Sequence, residues 1–225
     1  MLPKTIIHNV ISLDGAVTGF PVDLENHYAI ADTFGADAKL IGSATADSGI
    51  AAYTDGVPEE KDTDFIKPRI TEDDHRPYWV IPDTSGRLMG KVHVFRRFEY
   101  CKDVIMILSA KTPESYASYL MERNYEIIYA GEDSIDFHKV LEILNERYQC
   151  KTIITDSGGT LNRLLLEEGL VDEISLLISP VITGTGQPRL FSQLQTNEKN
   201  IKLELLGSEV QANKEVHVRY KVIRD

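Results

Sequence analysis

The sequence is poor in the features that mark several functional classes. Its 225 residues include two cysteines, Cys101 and Cys150, too few for a disulfide framework or a cysteine-rich zinc site. No apolar run approaches the ~20 residues that a membrane span needs. Met1-Leu2-Pro3-Lys4 leads into β-like sequence and not into a signal-peptide core. The basic excess of a nucleic-acid binder is missing: the net charge is −11, which disfavours a phosphate backbone as partner. The six histidines, His8, His27, His75, His93, His138 and His217, show no metal-site spacing. Asp73-Asp74-His75 lacks further ligands and reads as an exposed acidic loop, and Cys150 has no evident base partner and reads as a structural thiol. No G-x-S-x-G elbow, P-loop or G-x-G-x-x-G fingerprint occurs. A reduced, cytoplasmic, globular protein without a metal site is the expectation. The composition, 42% hydrophobic and 26% charged, agrees with it.

What is present is an alternation of strands and helices. Thr5 to Leu13 is dense in β-branched residues and predicts a mostly buried strand. Asp23 to Phe34 predicts a helix with Leu24, Tyr28 and Ala31 on one face, and Ala38 to Ile41 a short strand. Asp47 to Arg76, with Gly49, Gly56, Pro58 and Pro68, predicts an irregular surface excursion. Tyr78 to Ile81 is a strand that stops at Pro82-Asp83-Thr84-Ser85-Gly86, and the unbroken run Val104 to Leu108 predicts a strand buried on both faces. Thr112-Pro113-Glu114 predicts a helix start, with Thr112 as the capping hydroxyl. Glu126 to Ala130, Thr152 to Thr155 and Val171 to Ile178 follow as strands. Asp136 to Tyr148 and Thr160 to Glu168 are the helices between them, the second closed by Gly169. This alternation implies parallel strands with helices on the faces. At the end, Ile201, Leu203 and Leu205, then Val216, Val218, Tyr220 and Val222, alternate with polar residues, which predicts an antiparallel edge hairpin with one buried face. The expected architecture is a single α/β domain over residues 1–225, with a mixed, mostly parallel sheet.

Chemistry has few places to sit. In Thr155-Asp156-Ser157-Gly158-Gly159-Thr160-Leu161-Asn162 a strand meets two glycines that open a helix. A helix N-terminus exposes unpaired N–H groups and partial positive charge, and glycine lets an anion approach. The junction is either a phosphate cradle or a tight turn that uses glycine. Leu13-Asp14-Gly15, Gly42-Ser43-Ala44-Thr45 and Asp83-Thr84-Ser85-Gly86-Arg87 are further strand ends rich in small polar residues. Ligands bind at such ends in parallel sheets. Arg87 with Thr84 and Ser85 suits a ribose 2′-phosphate, or is a solvated surface charge. Ser179 to Gly186 either covers a ligand or is a plain crossover loop. A hydride-transfer enzyme needs few acid–base groups, because its cofactor carries the chemistry.

Five segments then occur in order: Ser12-Leu13-Asp14-Gly15; Gly42-Ser43-Ala44-Thr45; Val80 through Leu88; Asp156 through Asn162; and Gly169-Leu170-Val171-Asp172-Glu173-Ile174. In these the chain resembles the riboflavin-pathway pyrimidine reductases, which share the dihydrofolate reductase fold. The resemblance implies reduction of the ribosyl group of a ribosylaminopyrimidine 5′-phosphate to ribityl, with NADPH, by a homodimer. Carried over by position, it implies NADPH contacts from Thr45, Thr84, Ser85, Ser157, Gly158, Gly159 and Thr160, with Ala130-Gly131 a further cofactor-side strand end. It places Asp14 and Asp156 beside the nicotinamide and substrate, as the catalytic pair. The chain departs from the family in having Asp156 where a glutamate is frequent, Ser157 where a glycine is, Gly49 where an acid follows Thr45, Ala16 after the first Asp-Gly pair, and no arginine between Thr18 and Asp37. A reductase of the same fold acting on a pterin, with Glu25 or Asn26 near the pterin-binding position, and a non-enzymatic nucleotide-binding protein are the two alternatives.

Overall fold

The chain runs β1 (Lys4–Ser12), α1 (Leu24–Asp32), β2 (Ala38–Leu40), α2 (Ser43–Tyr53), a 3-10 turn (Asp62–Phe65), β3 (Tyr78–Pro82), α3 (Val92–Arg96), β4 (Val104–Leu108) and α4 (Glu114–Glu122). It continues with β5 (Glu126–Tyr129), α5 (Phe137–Tyr148), β6 (Thr152–Thr155), α6 (Gly159–Glu167), β7 (Glu173–Ser179), β8 (Lys202–Val210) and β9 (Val216–Ile223). The computed structural model describes residues 1–71, 73–191, 193–195 and 200–224. No helix among them is long and apolar enough to cross a membrane. The chain packs as two compact units, Met1–Pro3 with Asp37–Lys151, and Lys4–Ala36 with Thr152–Asp225.

In the first unit the strands lie side by side in the order β5-β4-β3-β2, all parallel. β4 is buried along its whole length, as its unbroken apolar run requires. Trp79, Ile81, Met106 and Leu108 pack with Phe95 and with Tyr116 and Leu120 of α4. Each aliphatic or aromatic side chain removed from water here contributes about 1.5–3 kcal/mol. Burial pushes the thiols of Cys101 and Cys150 up to about 12, so both are inert packing groups.

The second unit has the order β6-β1-β7-β9-β8. β1 is parallel to β6 and β7, and β9 is antiparallel to β7 and β8. Glu173 is buried in this sheet and accepts from Lys4 Nζ at 2.7 Å and Arg219 Nε at 2.6 Å.

Several local expectations need correction. The stretch expected to be irregular opens with α2 and contains the 3-10 turn. Ala46 and Ile50, four apart, bury one face of α2, and Gly49 between them is accommodated in open space. In α1 the buried residues are His27 and Ala31, while Tyr28 faces solvent. Pro113, not Thr112, is the N-cap of α4, and the Thr112 hydroxyl accepts instead from the Ser109 N–H at 3.0 Å. α3, five residues long, was not expected at all. The hairpin has no dry face: along β8 no residue is buried.

Candidate functional site

In the second unit the strand–glycine–helix junction is held by a buried amide network. Asn9 of β1 donates from Nδ2 to the Ser157 carbonyl at 3.0 Å, and Asn162 of α6 donates to the same carbonyl at 2.9 Å. Asn162 also donates to Asn9 Oδ1 at 3.0 Å and accepts from the Thr155 hydroxyl at 2.9 Å. Buried amides so satisfied fix a unique backbone path. That path makes Gly158 the N-cap of α6, with no side chain capping it, and leaves Thr160 exposed in the first turn. A helix N-terminus of this kind carries partial positive charge and suits an anion. Gly159 has a use of its own. A Cβ there would lie 2.7 Å from the Arg189 carbonyl and 3.0 Å from that of Leu190. The missing side chain admits the chain's own backbone, so a bulky residue at Gly159 disturbs packing whatever binds.

Asp14 and Asp156 have contrasting surroundings. The Asp14 carboxylate accepts from the Ser12 hydroxyl at 2.6 Å, the Thr183 N–H at 3.1 Å, the Gly184 N–H at 3.0 Å and Arg189 Nη2 at 3.1 Å. The Ser12 hydroxyl is the chief cause that holds this carboxyl well below the usual carboxylate range, followed by the Thr183 N–H. The loop 179–186 thus serves to clasp the turn after β1; Leu13 N–H also donates to the Val181 carbonyl at 2.8 Å. Asp156, partly exposed just past β6, meets the Nε2 of the buried His27 at 3.0 Å. Glu25 is exposed and the Asn26 amide is taken up by Glu215 at 3.2 Å.

In the first unit the loop after β3 is organised by Asp83, which is 1% exposed. Its carboxylate accepts from the N–H groups of Ser85, Arg87 and Leu88 at 3.3, 3.1 and 2.9 Å and from the Ser85 hydroxyl at 3.1 Å. This fixes Thr84, Ser85 and Arg87 in one turn. Ser85 and Arg87 are exposed, and the Arg87 guanidinium forms no ion pair among the described residues. A positive charge held on an ordered loop without a partner suits an anionic ligand. Thr45 lies in the first turn of α2, whose N-cap Gly42 likewise offers no side-chain cap. Ala130 and Gly131 follow β5: the Gly131 carbonyl accepts from the Ala110 N–H at 3.1 Å, and the Ala130 carbonyl from Asp136 N–H at 3.3 Å. Asp74, in the acidic stretch, is taken up by Arg76, with Nη2 2.7 Å from Oδ2.

Sequence reasoning missed His27, Asn9 and Arg189. Their partners lie far away in the chain, so no local pattern announces them. Asp83 had a signal, an aspartate opening a Thr-Ser-Gly turn, which is where side-chain capping of a loop is expected.

A family model described as the RibD C-terminal domain matches residues 3–216. A curated relative from Methanothermobacter thermautotrophicus, named 2,5-diamino-6-ribosylamino-4(3H)-pyrimidinone 5′-phosphate reductase, is 30% identical over 113 residues, 50% of each chain. The chain spans about half the length of this relative and of its Aquifex aeolicus namesake. Among solved structures, a pyrimidine reductase-like protein from Corynebacterium diphtheriae matches with a TM-score of 0.74 and 20% identity, covering 99% of this chain and 93% of that one. A dihydrofolate reductase from Enterococcus faecalis matches at 0.52 and 7% identity, covering 98% and 97%. The architecture is therefore the α/β fold that dihydrofolate reductase shares.

Proposed function

The chain belongs to the RibD C-terminal domain family, and from that premise we propose that it is an NADPH-dependent reductase of a ribosylaminopyrimidine 5′-phosphate. The observation that carries the reading is the loop after β3, where Asp83 fixes the backbone of an exposed Arg87, unpaired among the described residues, beside Ser85 and Thr84. NADPH, when bound, supplies the hydride. The chain's task is to hold the cofactor's phosphates and to keep one carboxyl group beside the reacting carbon. In the first unit Thr84, Ser85 and Arg87 are assigned to the 2′-phosphate, with Thr45, Ala130 and Gly131 as further contacts. In the second unit, taken by itself, the N-terminus of α6 from Ser157 to Thr160 is assigned to an anionic group. Asp156 is assigned to the substrate, and Asp14, saturated and ionised, is assigned to clasping its loop and not to the catalytic pair.

Arg87→Ala is expected to weaken NADPH about tenfold or more and to leave NADH nearly unchanged, since one charge-assisted contact contributes about 1.5–3 kcal/mol. Fluorescence titration of both cofactors reads this directly, and an equal loss for the two would contradict the assignment. NADPH oxidation with the ribosylaminopyrimidine phosphate and with dihydrofolate then tests the substrate. Turnover of dihydrofolate alone would favour the pterin reading.

The protein acts as a cytoplasmic homodimer on this reading. Support comes from β8, the edge strand, where Leu203, Leu205, Leu206 and Val210 are exposed at 44, 58, 49 and 73%. A long apolar edge invites pairing, and a closed two-fold dimer is the commonest way to cover it. The expected interface is β8 and not β7, which is already paired on both sides. Light scattering at micromolar concentration should give about twice 25.3 kDa; a monomer mass would contradict it.

A further inference from the structure

One imidazole of α1 is turned inward. His27 is 3% exposed, and its backbone carbonyl lies 3.2 Å from His8 Nε2. The two rings stack, centroids 4.5 Å apart and planes 11° apart. Donor and acceptor rules then assign the protons. A carbonyl only accepts, so His8 carries its proton on Nε2, and its Nδ1 accepts from the Ser175 hydroxyl at 2.9 Å. That hydroxyl, with its proton so directed, accepts from His217 Nε2 at 2.8 Å. Burial, with the neighbouring His27, pushes His8 down to about 3, so it is neutral at working pH. An ionised carboxylate also only accepts, so His27 donates from Nε2 to Asp156 at 3.0 Å. His27 Nδ1 is buried without a hydrogen-bond partner among the described residues. An unpartnered buried nitrogen is unfavourable, and the orientation that leaves it so is the one that puts a donor on Asp156.

We propose that His27 is a positioning residue: held by the His8 stack, its Nε2–H aims the Asp156 carboxyl group and keeps it charged. The proposal rests on the reading of Asp156 as the carboxyl beside the reacting carbon–nitrogen bond. There a carboxylate stabilises the protonated imine form of the substrate. Hydride forms the new C–H bond, the C=N π pair moves onto nitrogen, and the positive charge is neutralised with no further proton needed. A donor to the charged form of Asp156 lets it do this to lower pH. Among the described residues, His8 from β1, Tyr28 from its own helix at 5.0 Å between rings, and Asp156 face His27. Beyond His8 lies His217 of β9, which burial and then Arg219 push down, against Glu209 and Glu173.

Three measurements test this. Imidazole nitrogen NMR of the wild type should show His27 as the Nε2–H tautomer, with a resonance that moves in Asp156→Asn. His27→Leu should lower kcat about tenfold or more with little change in the KM for NADPH. It should also raise the carboxyl titration of Asp156, followed by carbon NMR, and the acid limb of kcat/KM by about one pH unit. His27→Gln, which keeps an N–H donor of similar reach, should restore kcat to within about threefold and return the acid limb. An Nδ1–H tautomer, a leucine variant with unaltered carboxyl titration, or a glutamine variant no better than leucine would overturn the proposal. A wild type that oxidises no NADPH with any pyrimidine or pterin would instead remove the reductase reading. The tautomer and carboxyl titration would still decide the His27–Asp156 pair.

Discussion

Asp83→Ala is expected to destabilise the protein by about 3 kcal/mol and to abolish the proposed preference for NADPH in the same step. Asp83 is buried at the end of β3 and accepts from three backbone N–H groups, of Ser85, Arg87 and Leu88, and from the Ser85 hydroxyl. Alanine removes every acceptor at once and leaves the Leu88 N–H, which is buried, with nothing in its place. Each orphaned buried donor costs about 1–3 kcal/mol. The turn from which Arg87 projects loses the Asp83 carboxylate that fixes its backbone, so the guanidinium is no longer presented from an ordered loop. In urea the midpoint should fall with the m-value unchanged, and NADPH affinity should fall towards that of NADH. Asp83→Asn, retaining one carbonyl oxygen, should recover part of both losses. An unchanged midpoint would show that water satisfies the loop equally well. Normal NADPH preference in a destabilised variant would detach Arg87 from cofactor choice.

Gly131→Ala should have an effect of similar size by a different route. Gly131 has φ +88, and a Cβ there would lie 1.9 Å from the Ser134 carbonyl and 3.0 Å from the Asp136 nitrogen. Both neighbours are backbone, so no side chain can swing aside. Strain at positive φ costs about 1–3 kcal/mol, and relieving the overlap means opening the turn 131–136. That turn carries the Asp136 N–H bond to the Ala130 carbonyl, and Asp136 in turn caps α5 through Lys139 N–H at 2.9 Å. The expected loss is about 3 kcal/mol or more. Gly90→Ala serves as the control: φ is +76 but nothing lies within 4 Å of its added Cβ, so its loss should stay near about 1 kcal/mol. Equal losses for the two variants would mean that the turn yields easily.

What could be read from the sequence follows from how local the cause is. β4 was visible because five consecutive apolar residues can only be buried on both faces. α5 was visible from the helical spacing of Phe137, Val140, Leu141 and Leu144. The pairing of β8 with β9 showed in their alternation, but not its exposure, since alternation gives the two faces and not what covers them. α2 was hidden by Gly49 and by a burial stripe of only Ala46 and Ile50. The strand ends rich in Asp, Ser, Thr and Gly were legible as loops, yet their tasks were not. Asp14 is a clasp because Arg189 and Gly184, far along the chain, come to it. Gly159 is a glycine because the 189–190 backbone passes over it. His27 has a partner because β6 ends beside α1.

The central claim, hydride transfer to a ribosylaminopyrimidine phosphate, is tested most directly by following the label. NADPH carrying deuterium at the transferable position of the nicotinamide should yield a ribitylaminopyrimidine phosphate that is heavier by one mass unit, with the deuterium on the sugar carbon bonded to nitrogen, and NADP+ in equal amount. Unlabelled or unreduced pyrimidine after the protein has been shown to bind NADPH would contradict the account.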